Sequence, residues 1–212
     1  VAFGVYASLM IAPQLEPIGI VRFSSGYGLL VCFMYTYALL QEQAAVMLRY
    51  HSDHDALSNC LNRRTFNESM EQLAGSRSSV PSCTFLLIDI DHFKAINDRH
   101  GHLAGDRIIT LVAAELGRVL EADMPLFRYG GEEFSVLLAD HGLDLAVAIA
   151  ERLRTAVAAA DFQGVPVTIS IGLAAWRRGE GSITAALDRA DRALYEAKRG
   201  GRNRVVADAP TA

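Results

Sequence analysis

The sequence has little cysteine, and the cysteines it has do not form a zinc-type pattern. Cys32, Cys60 and Cys83 lie far apart, and neither a CxxC pair nor a spaced His/Cys set occurs. An odd number of scattered cysteines argues against a disulfide-stapled secreted domain and against a structural zinc site. This usage is typical of a protein that folds in a reducing compartment.

An excess of basic residues is also absent. Lysine and arginine together number 20, against 24 aspartate and glutamate residues, so the formal net charge is −4. Proteins that bind nucleic-acid polymers normally carry a basic surface, so this balance argues against DNA or RNA as a partner. A small nucleotide remains compatible with it, because a site can be locally basic on an acidic protein.

Charged residues are scarce at the start of the chain, where residues 1–40 contain only Glu16 and Arg22. At about 1.5 Å per helical residue, the apolar stretch 18–40 is long enough to cross a bilayer core of about 30 Å. Arginines follow it, which favours a cytoplasmic location for the rest. We therefore expect 1–40 to be the end of a membrane sensor region; the alternative is a buried helix or strand pair of a soluble sensor. Because the chain begins at Val1 rather than Met, we expect it to be part of a longer protein and do not interpret its start as a signal peptide.

The remainder divides into a linker helix at 41–54, a domain at 55–206 and a tail at 207–212. A capping box formed by Thr65 and Glu68 predicts the start of the first domain helix. Periodicity predicts helices at 65–74, 106–122, 143–160 and 182–201, strands at 83–90 and 165–176, a hairpin at 125–139 and a last edge strand at 204–207. This order predicts an α+β fold with helices packed on one face of a largely antiparallel sheet.

Acidic residues collect where two of these strands end. Asp89 and Asp91 follow the apolar run "CTFLLI", and strand alternation places both on one face if the strand continues to residue 91. Glu132 and Glu133 follow two glycines at the hairpin tip. Carboxylates this close repel unless a cation lies among them, and oxygen-only ligands favour Mg²⁺ or Mn²⁺. The alternative is a Gly-Gly turn with solvated glutamates.

The stretch "DIDHFKAINDRHGHLAGD", residues 89–106, holds more polar groups than a strand-to-helix connection needs. Lys94 is placed to pair with a phosphate or with the carboxylates. Asn97 and Asp106 offer amide and carboxylate groups that match the guanine edge. Phe93 is interpreted as a core residue.

A basic cluster lies near the C-terminus in "AKRGGRNRV", residues 197–205. It contains Lys198, Arg199, Arg202 and Arg204. Clustered guanidinium and ammonium groups suit a triphosphate. The alternative is a solvated basic helix end favoured by the helix dipole.

Four ordered motifs together resemble the GGDEF family of diguanylate cyclases. "RYGGEEF" looks like its signature in the GGEEF variant, and residues 89–106 are similar to D-x-D-x-F-K-x-x-N-D-x-x-G-H-x-x-G-D. "HDALSNCLNRR" resembles H-D-x-L-T-G-L-x-N-R-R, and "ADRALYEAKRGGRNRV" resembles A-D-x-A-L-Y-x-A-K-x-x-G-R-N-R-V. The resemblance covers roughly residues 51–206 and leaves the first 50 residues outside.

The resemblance implies a nucleotidyl-cyclase-like palm, with a mostly antiparallel sheet flanked by helices and preceded by the apolar N-terminal segment. It implies that a homodimer condenses two GTP into cyclic di-GMP and releases two pyrophosphates. The 3′-hydroxyl would attack the α-phosphate with the help of Mg²⁺ or Mn²⁺, two per active site. The expected location is the inner membrane with the catalytic domain in the cytoplasm, and a cytoplasmic protein is the alternative. Competing interpretations are a non-catalytic GTP- or cyclic di-GMP-binding module and a single-substrate nucleotide cyclase.

Matching positions also imply residue roles. The implied metal ligands are Asp89, the backbone carbonyl of Ile90, Glu132 and Glu133, with Glu132 also assisting deprotonation of the 3′-hydroxyl. The residues implied to bind substrate are Asn97 and Asp106 at guanine, Phe93, Lys94, Lys198 and Arg202 along the phosphates, and Gly130 and Gly131 beside the α-phosphate. Lys94 would in addition stabilise charge in the transition state.

Two departures from the family pattern carry expectations. Ser58-Asn59 replaces Thr-Gly in the first motif, so we expect altered coupling to the upstream helix. Glu121 and Met124 stand where the family has the R-x-x-D of its product-inhibition site. No position with an implied catalytic role is lost.

The second departure predicts that feedback inhibition by cyclic di-GMP at this primary site is absent, because the guanidinium that would pair with the dinucleotide is replaced by a carboxylate. Binding of cyclic di-GMP to the purified protein measures this directly. Tight binding at the surface around Glu121 would contradict the prediction.

Overall fold

The computed structural model describes residues 17–75, 80–179 and 181–208. The chain forms two units, which meet in sequence between Tyr50 and His51. Part of the predicted apolar segment, residues 1–16, and part of the predicted tail, residues 209–212, lie outside the described residues.

The described part of the N-terminal unit lies within helix α1, Pro17–Asp53, whose last three residues belong to the C-terminal unit. The strand-pair alternative for these residues is therefore wrong. The helix continues without a break through the predicted linker as far as Asp53, and His54 forms a β-bridge with Leu61. Within it, the segment Gly26–Leu48 is long and apolar enough to cross a membrane, with a mean hydropathy of 1.2, and none of it is buried in this chain. Length and composition alone support that interpretation.

The C-terminal unit is built on a six-stranded sheet in the order β1-β3-β4-β2-β5-β6. The strands are β1 Leu61–Asn62, β2 Ser82–Ile90, β3 Leu126–Arg128, β4 Glu133–Ala139, β5 Ile169–Arg177 and β6 Val205–Asp208. The pairs β3-β4, β4-β2 and β2-β5 are antiparallel, whereas β1 and β6 join the two edges in parallel. The predicted α+β class with a mostly antiparallel sheet is confirmed.

Helices cover both faces of this sheet. They are α2 Arg63–Ala74, α3 Phe93–His100, α4 His102–Val119, α5 Leu143–Ala159 and α6 Ile183–Arg199. Leu86, Ile88 and Ile90 of β2 pack with residues of α3, α4 and α5, whereas Phe85 and Leu87 pack with residues of α2 and α6. The expectation that helices lie on one face is therefore wrong. The reason is visible in β2, where every residue after Ser82 is buried, as in a strand covered on both sides.

Element boundaries differ from the predicted ones where local hydrogen bonds decide them. Helix α2 begins at Arg63, because the side chain of Asn62 accepts a hydrogen bond from the backbone N–H of Thr65 and acts as the N-cap. Thr65 is therefore not the cap, because Asn62, directly before the first helical residue, fills that role. The hairpin strands β3 and β4 are joined by residues 129–132, a longer turn than the two glycines alone.

Gly172 allows α6 to lie directly on β5. A Cβ at this position would meet the backbone of α6 at 2.1 Å from the N of Leu194 and 2.3 Å from the O of Ala190. Backbone atoms cannot turn aside as a flexible side chain does. The close approach of helix and strand at this point therefore depends on glycine.

Substituting Gly172→Ala is expected to lower the free energy of unfolding by at least about 1–3 kcal/mol, because the added methyl group overpacks this contact. Urea unfolding followed by fluorescence of Trp176, the single tryptophan, which is buried in the same layer, measures the change. The matched control is Gly117→Ala in α4, where a Cβ meets nothing within 4 Å. That change is expected to stabilise by about 0.5–1 kcal/mol. Equal effects at the two glycines would contradict the packing argument.

Candidate active site

Asp89 lies at the C-terminal end of the central strand β2, between two neighbouring strands. The register pairs it with Glu133 of β4 on one side and with Ser170 of β5 on the other. The backbone N–H of Ile90 donates to the carbonyl oxygen of Glu132 at 3.3 Å. The structure therefore brings together the four predicted metal-ligand positions at one end of the sheet.

The Asp89 carboxylate is buried and paired with a lysine. Only 6% of the residue is exposed, and its Oδ2 lies 2.7 Å from Nζ of Lys198, in the last turn of α6. Asp89 shares the face of β2 that α6 covers, because it lies two residues from Leu87. Burial raises the pKa of Asp89 to about 6; the Lys198 ammonium opposes this rise, and the charges of Glu132 and Glu133 add to it. Asp89 is thus an anion that strongly favours a cation beside it.

Asp91 differs from Asp89 because its carboxylate is hydrogen-bonded by uncharged donors of the fold. Strand β2 ends at Ile90, one residue before Asp91, so the position of Asp91 is set by its side-chain contacts rather than by strand alternation. Its buried carboxylate accepts hydrogen bonds from Thr168 Oγ1 at 2.7 Å, Ser170 Oγ at 2.7 Å and the backbone N–H of Asn203 at 2.9 Å. Because Ser170 is also the register partner of Asp89, Asp91 lies close to Asp89 at this end of the sheet, but its carboxylate is held by hydrogen-bond donors of its own. Asp91 instead fixes the loop that follows Lys198 onto the start of β5.

The contact between α3 and α4 places the predicted guanine-binding residues. Asn97 Oδ1 is buried and has no hydrogen-bond partner among the described residues. A Cβ on Gly105 would lie 1.9 Å from that oxygen and 3.1 Å from Cζ of Phe93. Asp106 follows Gly105 and is exposed. A buried amide oxygen without a partner can accept a hydrogen bond from a ligand. Because Gly105 has no side chain, the space beside that oxygen stays open.

The remaining phosphate-site candidates lie at element ends. Lys94 is exposed in the first turn of α3, and Arg202 lies half-buried in the loop after α6 with a φ of 62°. Gly131 is open, with nothing within 4 Å of a Cβ, whereas a Cβ on Gly130 would lie 2.3 Å from Oε2 of Glu133. The space beside Gly130 is therefore taken by the Glu133 carboxylate.

Arg128, whose role could not be predicted from the sequence, holds in place residues 129–132, the turn between β3 and β4. Its guanidinium donates to the carbonyl oxygen of Gly131 at 2.7 Å and to Oδ1 of Asp55 at 2.7 Å. Burial raises the pKa of Asp55, but hydrogen bonds from Arg128 and Ser58 outweigh burial and leave that pKa below its usual value. A charged pair thus connects the first turn of the C-terminal unit to the loop that carries Glu132.

Ser58 and Asn59, the two departures in the first motif, keep the geometry of this turn. Ser58 Oγ donates to Asp55 Oδ1 at 2.8 Å, as a threonine hydroxyl would. Asn59 has a φ of 58°, a left-handed conformation that asparagine tolerates better than most residues other than glycine. The altered coupling expected from these residues stays a prediction.

A family model described as "Diguanylate cyclase, GGDEF domain" matches residues 52–204 of this chain. The chain belongs to this family. It is 40% identical over 173 residues to the diguanylate cyclase DgcM of Escherichia coli K12, an alignment that covers 79% of this chain and 41% of DgcM. The chain thus spans about two fifths of the length of that relative.

Solved GGDEF structures resemble this one closely. The coiled coil and GGDEF domain of DgcB from Caulobacter crescentus, in complex with c-di-GMP, matches with a TM-score of 0.76 and 31% identity, covering 87% of this chain and all of that one. The active GGEEF domain of a diguanylate cyclase from Vibrio cholerae matches with a TM-score of 0.65 and 30% identity, covering 72% of this chain and 99% of that one. Both comparisons confirm the GGDEF fold.

The donor set of this GGDEF domain fits a hard divalent cation. Asp89, Glu132 and Glu133 offer carboxylate oxygens, and Ile90 offers a backbone carbonyl. Among the described residues, no three His, Cys, Asp or Glu side chains form a ready-made metal cage. Magnesium is commonly held in this way by one or two carboxylates, with substrate phosphates and water completing its octahedron.

Replacing Asp91→Asn is expected to lower the free energy of unfolding by about 1–3 kcal/mol or more, because an amide presents a donor to groups that are themselves donors. Urea unfolding with Trp176 fluorescence measures the loss. Asp98→Asn, on the exposed side of α3, is the matched control and should change stability by no more than about 0.5 kcal/mol. A stability of Asp91→Asn equal to the control would contradict the structural role of Asp91.

Proposed function

We propose that this chain is a diguanylate cyclase, which condenses two GTP into cyclic di-GMP and releases two pyrophosphates. The observation that carries the proposal is the buried carboxylate of Asp89, register-paired with Glu133 and adjacent to the basic end of α6. Such a site suits a divalent cation and a triphosphate together. Kinship with curated diguanylate cyclases at 40% identity supports the same reaction.

In this proposal, Asp89, the Ile90 carbonyl, Glu132 and Glu133 hold Mg²⁺ or Mn²⁺, two ions per site. When bound, these ions supply the Lewis acidity that activates the attacking 3′-hydroxyl and neutralises charge on the α-phosphate. Glu132 takes up the proton of that hydroxyl. It is half-buried at the tip of the hairpin, so its carboxylate lies at the surface of the site where a substrate can approach it.

Cationic residues orient the triphosphate. Lys94, Lys198 and Arg202 offset its negative charge, and Lys94 stabilises the charge that develops in the transition state. Phe93 contributes through its backbone, because its side chain is buried in the core while its N–H lies in the first helical turn, where amides lack intrahelical acceptors.

Asn97 and Asp106 select guanine. The buried Asn97 oxygen accepts a hydrogen bond from the base, and the exposed Asp106 carboxylate accepts from its N1–H and amino group. If adenine were bound, these two side chains would lack hydrogen-bond donors, so the site should discriminate strongly against adenine.

The reaction needs two GTP molecules in opposite orientations, so we propose that two copies of the chain face each other as a homodimer. The exposed apolar segment Gly26–Leu48 of α1 supports membrane anchoring. With basic residues following that segment, the catalytic unit is proposed to lie in the cytoplasm at the inner membrane.

The expected result of incubating the purified chain, in detergent, with GTP and Mg²⁺ is cyclic di-GMP, resolved by chromatography. Glu132→Ala is expected to lower the rate by about 10²-fold or more, because it removes a metal ligand and the proton acceptor. Glu121→Ala, an exposed glutamate outside the site, is the control and should keep the parent rate.

Three outcomes decide among the candidates. Cyclic GMP as the product would indicate a single-substrate cyclase. Tight GTP binding without any product, even in an enforced dimer, would indicate a binding module. Cyclic di-GMP from both the parent and Glu132→Ala would contradict the role of Glu132 alone.

A further inference from the structure

Lys198 and a divalent cation compete for the same carboxylate oxygen. Nζ of Lys198 lies 2.7 Å from Oδ2 of Asp89. An ammonium at hydrogen-bond distance occupies the position of a metal ion bound to that oxygen and already neutralises the carboxylate. Two cations this close repel each other, so both cannot occupy this position together.

Leaving the Asp89 carboxylate without a cation beside it would cost free energy. Its side chain is only 8% exposed, and its register partner on β4 is Glu133, another carboxylate. Removing the partner of a buried charge is strongly destabilising. Any change at Asp89 must therefore exchange one cation for another.

Lys198 has the freedom to make that exchange. Its side chain is 33% exposed, four times the exposed fraction of its partner's, and a lysine has a flexible stem with a compact charge. It projects from the last turn of α6, beside the loop that carries Arg202. Because a triphosphate bound along this basic segment offers several anionic oxygens, it provides the ammonium with a new partner.

We infer that the Lys198 ammonium neutralises Asp89 in the empty site and that a divalent metal replaces it there only when a bound nucleoside triphosphate offers the ammonium a new partner. The consequence is that metal and nucleotide bind as a unit. Metal alone binds weakly because it must displace Lys198 without compensation. This role rests on the proposed function, in which Asp89 holds metal and Lys198 contacts phosphate.

The alternative is a permanent salt bridge that fastens α6 to β2. In that case Lys198 stays on Asp89 during the reaction, and the metal binds through other groups. The two roles predict opposite effects of a neutral residue at 198 on the affinity for metal alone.

Binding of Mn²⁺ without nucleotide, followed by the electron paramagnetic resonance signal of free Mn²⁺, tests the inference. Lys198→Met is expected to tighten Mn²⁺ binding about tenfold or more, the order expected on releasing a hydrogen-bonded charge pair. Arg192→Met, on the exposed side of α6, is the matched control: it removes an equal charge that is not paired with Asp89, and it should leave the affinity for Mn²⁺ alone unchanged. Lys198→Gln repeats the test with a polar side chain, and circular dichroism establishes that each variant is folded.

The same titration with 3′-deoxy-GTP, which cannot react through a 3′-hydroxyl, tests the coupling. In the parent protein the nucleotide should strengthen Mn²⁺ binding by a large factor. In Lys198→Met that factor should fall by about tenfold, because no ammonium remains on Asp89 for the metal to displace.

A third variant separates failure of the inference from failure of the proposed function. If Asp89→Asn abolishes the gain in Mn²⁺ affinity of Lys198→Met, Asp89 is the contested ligand and the inference holds. If Lys198→Met and Lys198→Gln bind Mn²⁺ no more tightly than the parent, while the parent still makes cyclic di-GMP, the inference is overturned and the function stands. If Asp89→Asn changes neither Mn²⁺ binding nor turnover, the proposed site itself is wrong.

Discussion

A carboxylate buried at the end of the central strand requires a cation beside it, and much of this domain serves that requirement. Asp89 is buried because β2 lies in the middle of the sheet with helices on both faces. Lys198 reaches it because α6 lies directly on β5, a contact that the bare backbone of Gly172 permits. The packing that buries the Asp89 carboxylate therefore also places the Lys198 ammonium beside it.

Two further polar contacts position the segments that surround Asp89. Arg128 joins Asp55 to the carbonyl of Gly131 and so fixes the turn that carries Glu132. Asp91 fixes the loop after α6 through the N–H of Asn203. Neither side chain is proposed to touch a substrate. Both restrict the freedom of charged residues that must be placed to within a fraction of an ångström for electrostatic catalysis.

The chemistry of the site could be predicted from the sequence more fully than its assembly. Asp89, Glu132, Asn97 and Lys198 stand in motifs whose residue types suit metal, guanine and phosphate, so they could be selected without coordinates. The hydrogen bonds that hold Asp91 could not be predicted, because their donors lie at the start of β5 and in the loop after α6. The second helical layer was missed because the apolar run of β2 shows no alternation that would reveal two covered faces. Arg128 and Gly105 stand in the quoted motifs, but their roles could not be predicted, because their partners, Asp55 and Asn97, are found only through the tertiary fold.

The most direct test of the account is a crystal structure with Mn²⁺ and 3′-deoxy-GTP, in which anomalous scattering locates the metal. We expect Mn²⁺ coordinated by the Asp89 carboxylate and the Ile90 carbonyl, guanine on Asn97 and Asp106, and the Lys198 ammonium turned to the phosphates. Mn²⁺ bound away from Asp89, with Lys198 still paired to that carboxylate in the presence of the triphosphate, would contradict it.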